Sequence, residues 1–175
     1  MRLHHNKNKD GFTLLEIISV LALISIFTVL VIVQHSASDA GLVSQVQVLA
    51  SHIRYAQMRS MNTDTSFGIY YKFNGADPAD CYYLLYRGTN TADIAQLPGE
   101  SQDRVYVGRM GITIASAIGA GSPAAGSFDL RFDSWGQPRS FVASSWHTDS
   151  LTLRLTKPGQ TPKNLVITRN TGFIQ

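Results

Sequence analysis

From Ile17 to Val33 the chain runs for 17 consecutive residues without a charge, and nothing in that run is more polar than Ser19, Ser25 and Thr28. Counted from Phe12, the stretch is 22 residues broken only by Glu16. As a helix rising roughly 1.5 Å per residue it extends about 33 Å, enough to cross a hydrocarbon core of about 30 Å. This excludes a purely cytosolic chain. With 175 residues in all, what remains can build one globular domain, which excludes most multidomain enzymes. Apolar residues make up 44% of the sequence, too many for an intrinsically disordered protein.

Orientation follows from charge. Arg2, Lys7 and Lys9 precede the apolar run and no Lys or Arg follows it until Arg54, so the N-terminus is expected in the cytoplasm and the bulk of the chain outside. Three readings compete for the run: a secretory signal, a plain anchor, or something more specialised. Ser36-Ala37-Ser38 would serve as a signal-peptidase site, but the apolar core is longer than the usual 7 to 15 or so residues. Glu16 discriminates further. A carboxylate in the membrane costs roughly 2 to 3 kcal/mol at full depth and less near the interface, and an anchor gains nothing from it. It calls for a partner.

The order Lys9-Asp10-Gly11-Phe12-Thr13-Leu14-Leu15-Glu16 before an apolar run resembles the class III signal of type IV prepilins and type II secretion pseudopilins. The resemblance implies a leader over residues 1–11, cut between Gly11 and Phe12 by a prepilin peptidase that then N-methylates Phe12. It further implies that Glu16 pairs with the Phe12 amine of a neighbouring subunit, where either charge alone would be stranded in apolar surroundings. The implied partners are other pilin or pseudopilin subunits, the prepilin peptidase, an inner-membrane assembly platform, and membrane lipid before assembly. The expected divisions are a transmembrane and filament-core helix over 12–33, an amphipathic continuation over 34–62, and a periplasmic β-rich domain over 63–175.

No Pro occurs before Pro78, so the helix is expected to continue past the apolar run. Leu42, Val46, Leu49, Ile53 and Ala56 recur at helical spacing and form a stripe to pack on a sheet, with Ser44, Gln45, Gln47, Ser51, His52 and Arg54 mostly away from it. His35 to Gly41 is small, polar and Gly-containing, and is expected to be frayed or bent. After Asn62 short β-branched and aromatic segments take over, at 65–74, 81–87, 111–118, 127–132, 140–144, 150–156 and 164–169, bounded by Gly, Pro, Asn or Asp. Residues 88–103 and 119–126 read as loops. The expected fold is α+β: a long N-terminal helix packed on a β-rich, sandwich-like domain.

Leu49 to Gln57 leading into strands, the turn Phe132 to Pro138 and the ending Ile167 to Phe173 are similar to the minor pseudopilin H and FimT-type branch, which includes minor pilins of mannose-sensitive haemagglutinin systems. That branch also holds DNA-binding members. Residues 104–175 carry eight basic side chains against Asp129, Asp133 and Asp149, or +5, while 12–103 sum to −4. Arg131, Arg139, Arg154, Lys157, Lys163 and Arg169 are the candidate phosphate contacts, although Arg131 and Arg154 read as a solvated face.

Other chemistry is not expected. Ser145, His147 and Asp149 sit two apart, about 7 Å on an extended chain, too far for a proton relay. Asn74, Gly75, Asp77 and Asp80 could offer oxygens to calcium but read as turn formers. The single Cys81 excludes an intramolecular disulfide and a CxxC motif. No cofactor is called for.

Overall fold

The computed structural model describes residues 13–175, the side chains of 29–39 excepted. The expected leader, residues 1–11, and Phe12 lie outside the described residues. The chain divides into two compact units, Met1–Ser38 and Asp39–Gln175, and helix α1 (Leu14–Thr63) contributes to both. Thr13 starts the helix: its hydroxyl and its carbonyl both accept from the Glu16 N–H, at 3.3 and 3.0 Å. Helical backbone continues through His35–Gly41, so the fraying expected there is not found. Each small or polar residue lowers helix propensity by up to about 1 kcal/mol, but none removes a backbone donor as Pro would.

From Leu14 to Phe27 the apolar side chains are exposed all round the helix, Leu15 at 80% and Phe27 at 64%. Among the described residues no helix is long and apolar enough to cross a membrane. The expected span, 12–33, extends beyond the side chains described, which stop at Thr28 in this segment.

In the second unit the expected stripe is the buried face of α1. Leu42, Leu49, Ile53 and Ala56 are at most 1% exposed, and Val46 joins them in the core. A fully buried Leu or Ile contributes roughly 1.5 to 3 kcal/mol. His52, expected mostly away from the stripe, is buried as well. Its Nε2 lies 3.2 Å from the Pro98 carbonyl, which can only accept, so that nitrogen carries the proton and Nδ1 accepts from the Tyr83 hydroxyl at 3.0 Å. The buried face is wider than the apolar stripe because the 97–100 loop closes over its flank. At the helix end Asp64 takes φ +50°, and the Ser60 hydroxyl accepts the Phe67 N–H at 2.7 Å.

Ten strands follow: β1 (Phe67–Lys72), β2 (Tyr82–Arg87), β3 (Ile94–Ala95), β4 (Thr113–Ile118), β5 (Ala124–Ala125), β6 (Phe128–Phe132), β7 (Pro138–Val142), β8 (Ser145–His147), β9 (Leu151–Thr156) and β10 (Lys163–Ile167). All named pairs are antiparallel, and they form a six-stranded sheet, β3-β2-β1-β6-β7-β8, and a four-stranded one, β10-β9-β4-β5. Phe67, Ile69, Leu130 and Phe132 from the first sheet and Leu153, Leu155 and Ile167 from the second share one core with α1. The seven expected strands are present with shifted ends. The two segments read as loops also carry the two-residue strands β3 and β5. Ala143 and Ser144, at φ +50° and +68°, end β7 two residues early and turn the chain back as β8.

Candidate functional site

Over Leu14–Thr28, where the side chains of the first unit are described, the helix surface is apolar and its hydroxyls are closed on the helix itself. The hydroxyls of Ser19, Ser25 and Thr28 donate to the carbonyls four residues back, at 2.7, 2.8 and 2.8 Å. They leave no free donor toward an apolar environment. The exception is Glu16. Among the described residues its carboxylate has no hydrogen-bonding or ionic partner, and it lies in the first turn, where the helix dipole favours a negative charge. Gly11 and Phe12, the expected cleavage pair, lie outside the described residues.

In the second unit, strand alternation gives the six-stranded sheet an aromatic and basic outer face. Tyr86, Gly68, Arg131 and Arg139 stand opposite one another across β2, β1, β6 and β7, and the next row holds Leu84, Tyr70, Asp129, Phe141 and Trp146. Gly68 is required here, because a Cβ would meet the Tyr86 ring at 2.6 Å. The Tyr86 ring thus lies flat across β1, and its hydroxyl donates to Asp129 Oδ1 at 2.5 Å. Arg131 donates to the Tyr86 oxygen at 2.9 Å, to Asp129 Oδ2 at 3.3 Å and to the Thr89 carbonyl at 3.3 Å. Burial pushes the Asp129 carboxyl up from the usual carboxylate range, against the opposing pull of the Tyr86 hydroxyl and Arg131. It also pushes the Tyr86 phenol up, with the Asp129 charge adding to the effect. Nothing in the sequence pairs these residues, since 43 positions separate Tyr86 from Asp129.

Five of the six basic candidates are divided between the two sheets, and Arg169 lies beyond β10. Arg131 and Arg139 belong to the six-stranded sheet, while Arg154, Lys157 and Lys163 belong to β9, β10 and their connection in the four-stranded one. Arg169 pairs with Asp149 at 3.4 Å. The solvated-face reading holds for Arg154, which is exposed, and fails for Arg131, whose side chain is 18% exposed and engaged as above. By strand alternation Lys163 shares its face with the buried Leu165 and Ile167, opposite to Asn164, the register partner of Arg154. No single strip of phosphate-directed side chains results.

The two turns singled out in the sequence do meet. The Gln57 amide of α1 donates to the Gly136 carbonyl at 2.9 Å and to the Thr171 carbonyl at 2.8 Å. Gly136 and Gly172 have φ +75° and +63°, and a Cβ on Gly172 would lie 2.5 Å from the Gln57 Nε2. Asp133 stiffens the first turn, its Oδ1 accepting from the N–H groups of Trp135 and Gln137 at 3.0 and 2.8 Å.

The remaining candidates have local roles. Asn74 Oδ1 accepts from the N–H groups of Ala76 and Asp77, Asp77 Oδ1 caps the following 3-10 turn through Ala79, and Asp80 pairs with Lys72 at 3.3 Å. Ser145 and His147 share the edge strand β8, and Asp149 is engaged with Arg169. Cys81 is buried, its sulfur accepting from the Asn74 N–H at 3.2 Å.

Comparison with known proteins adds three findings. Residues 6–32 match the family described as the prokaryotic N-terminal methylation motif. No curated protein sequence matches the chain. Among solved structures, the chain is similar to the minor pseudopilin EpsH of the Vibrio cholerae type II secretion system, at 11% identity and a TM-score of 0.52, over 79% of this chain and 94% of that one. It also matches the type IV minor pilin FimU of Pseudomonas aeruginosa at 16% identity, over 78% and 87% of the two chains, with a TM-score of 0.48. The likeness to that pseudopilin shows a shared fold.

Proposed function

We infer that this chain, which joins a prokaryotic N-terminal methylation motif to the fold of a minor pseudopilin, is a minor pilin or pseudopilin: a structural subunit of a type IV pilus or type II secretion pseudopilus rather than a catalyst. That conjunction is the observation that carries the reading. In it, the chain inserts N-terminus inward, with residues 12–33 in the inner membrane and the β-rich domain in the periplasm. The prepilin peptidase removes residues 1–11 and methylates Phe12. Gly at the scissile position leaves the extended backbone unobstructed.

Entry into a filament exchanges lipid around the apolar helix for neighbouring helices. Because both are equally apolar, the exchange is nearly neutral, and polar and domain contacts must set register. That the Glu16 carboxylate has no partner among the described residues supports its assignment as the register contact, pairing with the Phe12 amine of the next subunit. Work for extraction comes from the assembly platform. Residues 34–62 link this core helix to the domain and hold it through the stripe at Leu42 to Ala56. The division of the basic residues between two sheets favours this structural reading over the DNA-binding one.

Mass spectrometry of the protein from cells with an active prepilin peptidase tests the processing steps. The expected N-terminus is N-methylphenylalanine at Phe12, and Gly11→Val is expected to leave the chain uncut. A mature protein that still begins at Met1, or a cleaved Gly11→Val variant, refutes the assignment.

A further inference from the structure

We propose that Met61 is an oxidant-sensitive modification site, whose sulfoxide draws the Gln57 amide away from the two turns that it holds on α1. Gly136 packs so closely on the helix that a Cβ built there would meet the Met61 Sδ at 2.8 Å and the Gln57 Nε2 at 3.4 Å. The thioether and the amide therefore share one spot beside the Gly136 backbone. Both amide hydrogens are committed, one to the Gly136 carbonyl at 2.9 Å and one to the Thr171 carbonyl at 2.8 Å. The thioether does not compete for them, because its sulfur is a weak acceptor.

Oxidants reach this sulfur without unfolding the domain. Met61 is 56% exposed and borders an open groove with Asp64, Ser134 and Trp135 on its walls. With hydrogen peroxide, the sulfur lone pair takes one oxygen, the O–O bond breaks, and the other oxygen leaves as water with both hydrogens. The sulfur is oxidised by two electrons and the peroxide is reduced. A flexible apolar side chain becomes a polar one. Its new oxygen is an acceptor beside the Gln57 amide, and a hydrogen donated to it is lost from a turn carbonyl. The ending from 167 to 173 is then held less firmly. Beneath it lies the fully buried Phe132 ring, 3.0 Å from where a Gly172 Cβ would stand, so loosening exposes core surface. The other exposed methionines of the domain border different grooves, Met58 with Pro98 and Gly99, Met110 with Arg104 and Tyr106. Oxidation at Met61 is the one that reaches Gln57.

The test treats the full chain in detergent with dilute hydrogen peroxide, locates the added oxygen by peptide mass mapping, and follows thermal unfolding. Oxygen is expected at Met61, with a melting temperature lower by about 3 to 5 °C, the effect of losing one ordinary hydrogen bond in a unit of this size. Met61→Leu keeps an apolar side chain without the sulfur, so peroxide is expected to shift its melting temperature by less than about 1 °C. Met58→Leu and Met110→Leu are expected to keep the full drop. In Gln57→Ala, whose turns have already lost the amide, oxidation is expected to add no further loss. That arm separates withdrawal of the amide from a general effect of a polar side chain. An unmodified Met61 beside oxidised Met58 and Met110 overturns the proposal, as does an unchanged melting temperature once Met61 carries oxygen. An equal drop in Met61→Leu, or an undiminished one in Gln57→Ala, overturns it too.

Discussion

Replacing Gln57 by Ala removes one amide that holds two turns on α1. Its two hydrogen bonds, 2.9 Å to the Gly136 carbonyl and 2.8 Å to the Thr171 carbonyl, join segments 79 and 114 positions away. Each net contribution is about 0.5 to 1.5 kcal/mol, so the loss is expected at about 2 kcal/mol, with both carbonyls left to water. For a unit the size of Asp39–Gln175, each kcal/mol shifts the melting temperature by about 3 to 5 °C, giving a drop of roughly 6 to 10 °C. Gln57→Glu sharpens the test. At neutral pH a carboxylate would face two carbonyl oxygens with no proton to donate, so this near-isosteric change is expected to cost at least as much as Ala. The assay is thermal unfolding of the full chain in detergent, followed by near-UV circular dichroism. Trp135, 83% exposed on the clasped turn, reports loosening locally through its fluorescence anisotropy. A drop below about 2 °C for Gln57→Ala, or a Gln57→Glu protein more stable than the Ala variant, would refute the clasp.

Gly68→Ala places a methyl group about where the Tyr86 ring lies, so it is expected to cost about 1 to 3 kcal/mol and to be partly rescued by Tyr86→Leu in a double-mutant cycle. His52→Leu leaves the buried Tyr83 hydroxyl without its acceptor, an expected loss of about 1 to 3 kcal/mol in denaturant unfolding that shrinks when Tyr83→Phe is added. The raised Asp129 pKa has a definite sign. The folded state holds the proton more tightly than the unfolded one, so this group's contribution to stability falls as pH rises from the unfolded carboxylate value through the folded one, then stays constant. The stability difference between wild type and Asp129→Asn is therefore expected to move against wild type over that acidic window, and a flat difference would contradict the assignment.

Much of this arrangement is readable in the order of residues because it depends on local periodicity. The stripe from Leu42 to Ala56 and the alternation in SLTLRLT (150–156) each repeat with the period of the element they form, while the apolar run, apolar on every side, is legible from its length. Gly136 in the turn 132–138 and Gly172 in the ending 167–173 mark chain reversals for an equally local reason, since both take positive φ. What escapes is set by long-range pairing. His52 is polar and adjacent to the stripe, and only the approach of Tyr83 and Pro98 makes burial favourable. Arg131 alternates with apolar neighbours like any solvent-facing strand residue, yet Asp129, Tyr86 and Trp146 enclose it once β2, β6 and β8 share a sheet. The basic residues look like one population in sequence and separate because their strands enter different sheets. Strands β3 and β5, two residues each, are too short for any alternation to register.

The proposed role of Glu16 in setting the register of a filament subunit is tested by comparing wild type with Glu16→Ala in sheared filaments and in membranes. Equal cleavage and N-methylation of the two proteins are expected, with incorporation of the variant reduced at least about ten-fold, because an unpaired Phe12 amine is then left in an apolar core. Wild-type levels of Glu16→Ala in the filament fraction would contradict it.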